Sequence, residues 1–158
     1  MTIVDSGFRI AYRTAYQLMR IYWRVARPTT KGALIAIWHN GELLLVRNSY
    51  VSYYCVPGGY LKPGETPVMA AVREVAEEVS IQARPGALRV GREETHTWEG
   101  KSDEVTIFDL EVEERPAFRI DRREVITAGF YSPRQALAFD LFPPLRRHIE
   151  ARLTKDPG

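Results

Sequence analysis

The chain has 158 residues, 45% of them hydrophobic, with a formal net charge of +2. Such a length suits one domain, and such an apolar share supplies a core, which excludes a disordered chain. A charge this close to neutral gives no ground for nucleic-acid binding, and no run reaches the ~18 apolar residues of a membrane-spanning helix. One cysteine, Cys55, rules out an internal disulfide and fits a reducing compartment. Met1 to Gly7 carry no charged region followed by an apolar core, so the expectation is a soluble cytoplasmic protein.

Charge is unevenly spread. Residues 1–31 hold six basic residues against Asp5 alone, and the remainder is net acidic. Residues 8–27 have helical rhythm. At ~100° per residue, Arg9, Arg13, Arg20, Arg24 and Arg27 fall in an arc about 60° wide. Phe8, Tyr12, Tyr16, Met19 and Trp23 lie beside that arc, and Ile10, Leu18, Ile21 and Val25 continue round. Ser6 is a candidate N-cap, and Pro28 explains the stop. The favoured reading is a helix packed on its own domain with arginines in water. A homodimer contact comes next, and a peripheral membrane or polyanion contact is the least favoured.

After this helix, residues 33–39 and 40–48 predict strand, Asn-Gly turn and strand. Tyr53 to Val56 predicts a short strand stopped by Pro57-Gly58-Gly59, with Cys55 as a small buried side chain in it. Residues 67–80 predict a helix capped by Thr66, with Pro67 in its first turn. Residues 88–98 and 104–113 alternate like antiparallel strands around Glu99-Gly100-Lys101. Val125 to Tyr131 predicts a strand, followed by helices from Ser132 to about Ala138 and from Leu145 to about Leu153, the second preceded by Pro143-Pro144. The pattern is a mixed sheet with helices on both sides.

The helix at 67–80 ends in Arg73, Glu74, Glu77 and Glu78. Glu74 and Glu78 stack four apart, and Glu77 adjoins them. Repulsion between such carboxylates costs a few tenths of a kcal/mol per pair, and the helix dipole adds ~0.3–1 kcal/mol at this end. A hard divalent cation reverses both penalties, because it prefers carboxylate oxygens and water. The plain alternative is a solvated acidic face.

Spacing weighs against that alternative. Gly59, Glu65, Arg73-Glu74-Val75, Glu77-Glu78 and Ile81 follow the order G-x5-E-x7-R-E-U-x-E-E-x-G-U, with U aliphatic. This stretch resembles the Nudix box of the Nudix hydrolase family at every fixed position but one, where Ser80 replaces glycine. The resemblance implies an α/β/α sandwich with a mixed sheet over residues 31–158, and the basic amphipathic helix of residues 1–30 stands outside it. It implies a Mg²⁺-dependent pyrophosphohydrolase, with Mn²⁺ as a substitute, cleaving a diphosphate linkage in a nucleoside diphosphate joined to X. Matched by position, Glu74, Glu77, Glu78 and Gly59 are the metal ligands, with Glu77 and Glu78 also catalytic. Arg73 orients a catalytic glutamate, and Glu65 pairs with Arg73 to hold the loop on the helix. Gly58 and Gly59 let the backbone bend near phosphates. Glycine at position 80 would end the helix in a left-handed conformation, which costs a serine roughly 1–2 kcal/mol.

Glu124 stands where many Nudix proteins have an acidic residue that reaches the metals, and it is a candidate base or ligand. Arg47 is a candidate phosphate contact, and Tyr60 and Trp98 are candidates for stacking on a base. His96, alone on a strand, reads more readily as structural. The region Thr95-His96-Thr97-Trp98 lacks the proline or tyrosine that marks two substrate subclasses. The alternative function is a catalytically silent Nudix-fold binding module, against which the intact glutamates speak. An isomerase of the same superfold would need a cysteine–glutamate arrangement that Cys55 alone does not supply.

Overall fold

A computed structural model of the chain describes residues 3–120 and 122–155, leaving aside the side chains of residues 3 and 4. Six strands form one mixed sheet: β1 (Thr29–His39), β2 (Glu42–Asn48), β3 (Gly58–Tyr60), β4 (Arg89–Trp98), β5 (Lys101–Glu111) and β6 (Val125–Tyr131). Their spatial order is β4-β5-β1-β2-β6. β1 runs parallel to β5 over ten residue pairs, from Thr29↔Ser102 to Trp38↔Glu111. Its opposite edge is shared. β2 pairs with it at Trp38↔Leu43 and His39↔Glu42, and β3 pairs with Gly32, Ala33 and Leu34. This division of one edge brings the glycines of β3 beside the middle of the sheet.

Alternation along β1 sends side chains to two cores. Ala33, Ile35 and Ile37 pack with Leu44 and Val46 beneath α2 (Pro67–Val79), which contributes Ala70, Ala71, Val75 and Val79. Leu34, Ala36 and Trp38 face α3 (Pro133–Leu137) and α4 (Pro143–Lys155), meeting Ala136, Leu145 and Ile149. Each buried Leu, Ile or Val removes apolar surface worth about 1.5–3 kcal/mol. Two apolar faces with helices on both sides make the α/β/α sandwich the sequence implied.

Local chemistry sets the element ends. Asn40 and Gly41 have φ of 48° and 77°, the mirror-image turn an Asn-Gly hairpin favours. Thr66 Oγ1 accepts from the Met69 N–H at 3.3 Å and caps α2. Ser80 follows α2 with φ 59° and ψ 25°, the left-handed conformation that glycine would take more cheaply. Its hydroxyl donates to the Arg119 carbonyl at 3.2 Å, and the Arg119 N–H donates to Val79 O at 3.0 Å. The serine therefore stays in register with the helix end and adds a tie to the following loop.

Several boundaries differ from expectation. Residues 53–56 form single bridges, Val46↔Cys55 and Tyr54↔Leu141, and the short strand lies further on, at Gly58–Tyr60. Glycine's small size lets that segment lie against β1, where a Cβ on Gly58 would meet Ala33 O at 2.3 Å. Cys55 is only partly buried. α4 starts at Pro143, with both prolines inside its first turn, where their missing N–H groups cost nothing. β5 begins at Lys101, so the turn is only Glu99 and Gly100, both at positive φ.

The N-terminal helix, α1 (Ile3–Ala26), begins before Ser6, which lies within it rather than capping it. Trp23 is 2% exposed and anchors the helix beside Tyr16 and Tyr60. Not all the arginines stay in water. Arg9 donates to Arg122 O at 2.7 Å, Arg13 donates to Ser49 O at 2.9 Å, and Arg20 pairs with Glu99 at 3.0 Å. The opposite face, with Ile10, Leu18, Ile21 and Val25, is exposed. Among the described residues, no helix is long and apolar enough to cross a membrane. The two segments expected from sequence, 1–30 and 31–158, include residues 1–2, 121 and 156–158, which lie outside the described residues.

Candidate active site

The last turns of α2, the glycines of β3 and the ends of β2 and β6 meet at one end of the sheet. Arg73 organises the loop before the helix. Its Nε donates to Glu65 Oε1 at 2.7 Å and its Nη2 to Glu65 Oε2 at 2.9 Å, a two-pronged pairing. Glu65 also accepts the Lys62 N–H at 2.8 Å, and Arg73 Nη2 reaches Tyr60 O at 3.2 Å. One guanidinium thus ties the loop, β3 and α2 together. The Arg73 hydrogen bonds, followed by the Lys62 N–H, hold the Glu65 carboxyl down at about 2. The same pairing raises Arg73 above its ordinary value.

The three box glutamates have distinct surroundings. Glu74 accepts from Arg73 Nη1 at 2.5 Å and lies against Gly59, where a Cβ would come within 2.5 Å of Glu74 Oε1. Glycine at 59 is what lets that carboxylate approach the backbone. Glu77 is mostly exposed, 3.4 Å from Arg73 Nη1 and 4.0 Å from Lys62 Nζ. Glu78 is 5% exposed and accepts from the Gly58 N–H at 3.0 Å and Asn48 Nδ2 at 3.2 Å. Burial pushes its carboxyl up to about 8 despite those donors, and the nearby Glu124 and Glu74 charges add to the rise.

Glu124 enters from the segment before β6. The Tyr50 hydroxyl donates to Glu124 Oε1 at 2.8 Å, and the Ser49 N–H donates to its carbonyl at 2.7 Å. Asn48 Nδ2 also contacts the Tyr50 hydroxyl at 2.9 Å, so Asn48 and Tyr50 link Glu78 to Glu124. Sequence reading passed over both residues. Their only signal was position, at the exit of a strand that ends next to the box.

The donor set suits a divalent cation. Its atoms are carboxylate oxygens, with backbone close by, and a buried carboxylate beside two others gains most from an added positive charge. Among the described residues, no three His, Cys, Asp or Glu side chains are already gathered at ligand spacing. Glu74 is held by Arg73, and Glu78 by Gly58 and Asn48. A cation would draw these carboxylates away from partners they already have.

A cleft of about 340 Å³ opens beside Glu78 and Glu124 and is walled by Gly58, Gly59, Tyr60 and Trp98. Arg47 is not brought to it. Strand alternation turns Arg47 away from Val46 and Asn48, and its guanidinium lies 5.8 Å from the Tyr54 ring. His96 is also outside the cleft lining, stacked on Trp98 at 5.7 Å and 3.5 Å from Arg147 Nη2. Burial and then the Arg147 charge lower its pKa. Cys55 does line the cleft, but burial pushes its thiol up to about 12, so it stays protonated.

A family model for the NUDIX domain matches residues 28–153, from the end of α1 into α4. This chain belongs to the NUDIX domain family. Among solved NUDIX-like folds, a MutT protein from Methanosarcina mazei superposes with a TM-score of 0.70 at 22% identity, covering 83% of this chain and 96% of that one. An Ap4A hydrolase from C. elegans superposes with a TM-score of 0.66 at 20% identity, covering 77% of this chain and 93% of its own. By sequence, the chain is 48% identical over 48 residues to human diphosphoinositol polyphosphate phosphohydrolase 2, 30% of this chain and 27% of that protein. It is 38% identical over 55 residues to a putative 8-oxo-dGTP diphosphatase of Bacillus subtilis, 34% of this chain and 37% of that protein. The chain thus matches well under half the length of either curated relative.

Proposed function

We propose that this NUDIX-family protein is a Mg²⁺-dependent pyrophosphohydrolase, with Mn²⁺ as a substitute. It would cleave the diphosphate linkage of a nucleoside diphosphate joined to a further group X. The observation that carries the reading is Glu78, a buried carboxylate between Glu124 and the glycines of β3, at the end of a helix that also carries Glu74 and Glu77. Such crowding is unfavourable without a cation and favourable with one. The relatives' names, a phosphohydrolase, a diphosphatase and an Ap4A hydrolase, point the same way.

In this reading Glu74, Glu77, Glu78 and the Gly59 carbonyl hold the ion. A divalent cation there supplies charge neutralisation for the diphosphate and a bound water of lowered pKa. Arg73 keeps Glu74 and Glu77 oriented while Glu65 holds Arg73. Glu124, placed by Tyr50, accepts the proton of the attacking water. Gly58 and Gly59 leave space for phosphate oxygens against the backbone.

The test is phosphate and pyrophosphate release from a panel of nucleoside triphosphates, nucleotide sugars, ADP-ribose and dinucleoside polyphosphates, with Mg²⁺ and with chelator. Metal-dependent turnover of one class is expected. A folded protein that turns over none of them would contradict the proposal.

A further inference from the structure

The cleft does not stop at the carboxylates. It continues beneath α1, which supplies Tyr12, Ala15, Tyr16, Met19 and Trp23 to its wall. The facing wall is Tyr53, Tyr60, Trp98 and Phe142. Tyr53 is stacked on Phe142 at 6.0 Å and meets Trp98 edge-on at 5.9 Å. The α1 rings touch this wall, Trp23 lying 6.2 Å from Tyr60, and Tyr16 also packs 5.0 Å from Tyr50, which bonds Glu124, so the aromatic lining runs up to the carboxylates.

α1 is fixed in this place. Arg13 donates to Ser49 O, the Tyr16 hydroxyl donates to Glu99 Oε2 at 2.5 Å, and Arg20 pairs with Glu99. Near the helix end, Lys101 Nζ lies 4.9 Å from the Trp23 ring centroid and 5.2 Å from that of Tyr60, and it pairs with Asp103. The wall is thus largely preformed, as small-molecule sites usually are.

Charge restricts what can enter. The charged residues lining the cleft are Glu78, Glu99, Asp103 and Glu124, and the described lining contains no lysine, arginine or histidine. A polyanionic X group would lose its water there and find no free cation in the described lining, and Lys101 and Arg20 are already paired with Asp103 and Glu99. A flat, uncharged ring would lose little water and gain contacts with this aromatic lining.

We propose that α1 is a wall of the substrate chamber, and that the chamber receives an uncharged aromatic group, such as a nucleobase, while excluding a polyphosphorylated one. Tyr16, Met19 and Trp23 are then specificity-determining residues contributed from outside the stretch that matches the family model. The proposal rests on the pyrophosphohydrolase reading for the orientation of the diphosphate, which must lie toward Glu78 and Glu124.

The experiment uses the full chain and two filling or charging variants on α1, Ala15→Phe and Met19→Glu. Both positions are exposed on the helix, so the fold is kept. Turnover of dGTP and of diphosphoinositol pentakisphosphate is measured with Mg²⁺. Binding of the α,β-methylene analogue of dGTP is followed in parallel by quenching of Trp23 and Trp98 fluorescence. Wild type should prefer dGTP, and each variant should raise its KM about tenfold with kcat little changed, because stacking on aromatic walls is worth that much. Analogue binding should weaken to the same degree.

Turnover of dGTP with a KM indifferent to both variants would overturn the chamber and leave the pyrophosphohydrolase reading in place. So would a wild-type preference for the polyphosphorylated substrate. Analogue binding that weakens in both variants, without turnover of either compound, would keep the chamber and overturn the enzymatic reading. No analogue binding and no turnover would overturn both.

Discussion

Glu78 ties burial to chemistry. Its carboxyl has an ordinary value of 4.5 in the unfolded chain, and burial pushes it up to about 8 in the folded protein. Between these values the folded state keeps a proton that the unfolded state has lost, so stability falls as pH rises through this window. Metal-free wild type should therefore lose more stability from pH 5 to pH 8 than Glu78→Gln does, as read by urea unfolding. Equal slopes in the two proteins would contradict this account of Glu78. Glu65 has the opposite sign. Its depressed pKa gives stability that is present above 4.5 and is lost as pH falls toward about 2. Ser80 offers a second comparison at this scale. Its left-handed backbone costs roughly 1–2 kcal/mol relative to glycine, offset in part by its hydrogen bond to Arg119 O, an exposed contact worth about 0.5 kcal/mol. Ser80→Gly should be about 0.5–1.5 kcal/mol more stable than wild type, and Ser80→Ala about 0.5 kcal/mol less stable. A more stable alanine variant would show that the serine hydroxyl contributes nothing.

Two elements work as braces. Arg73 binds Glu65 through two parallel hydrogen bonds, a geometry that a lysine ammonium does not reproduce. Arg73→Lys should therefore lower turnover about 10–100-fold, as loss of a group supporting ligands does, with a matching loss of Mg²⁺ affinity by titration. Unchanged affinity would mean that Arg73 acts only on substrate. α1 is braced by Trp23, and a buried aromatic cut to alanine costs about 3–5 kcal/mol. Trp23→Ala should release the helix, so that limited proteolysis cuts near Pro28 while the sheet stays intact. Equal protease resistance would show that Arg9, Arg13 and Arg20 suffice to hold it. Most strands and α2 were legible because periodicity is local, and the Glu65–Arg73 pair was expected from the resemblance to the Nudix box. The split edge of β1 was not, because whether β3 displaces β2 depends on the bulk of Gly58 and Gly59 against a strand distant in sequence. Arg47 lies outside the cleft lining, a placement that alternation alone does not give, because it defines two faces without saying which one the cleft occupies. The helical wheel put Tyr12, Tyr16, Met19 and Trp23 on one arc, but nothing local told what that arc would cover.

At the scale of the molecule, the sheet's two cores hold a rigid frame, and the acidic residues gather at one of its ends. Removal of metal is then a test of the whole. Saturating Mg²⁺ should raise the melting temperature of wild type, since a ligand bound only to the folded state stabilises it by mass action. The rise should be smaller in Glu78→Gln, and an equal rise would place the ion elsewhere. The proposal that these carboxylates carry metal-dependent hydrolysis meets its most direct test in Glu77→Gln. Glu77 is exposed, so its amide costs the fold little. Pyrophosphate and phosphate release from the best substrate should be measured across a Mg²⁺ titration in wild type and Glu77→Gln of equal melting temperature. A loss on the order of 10²–10³-fold is expected, with metal-dependent turnover in wild type alone. Equal turnover by the two proteins would contradict the assignment of the site.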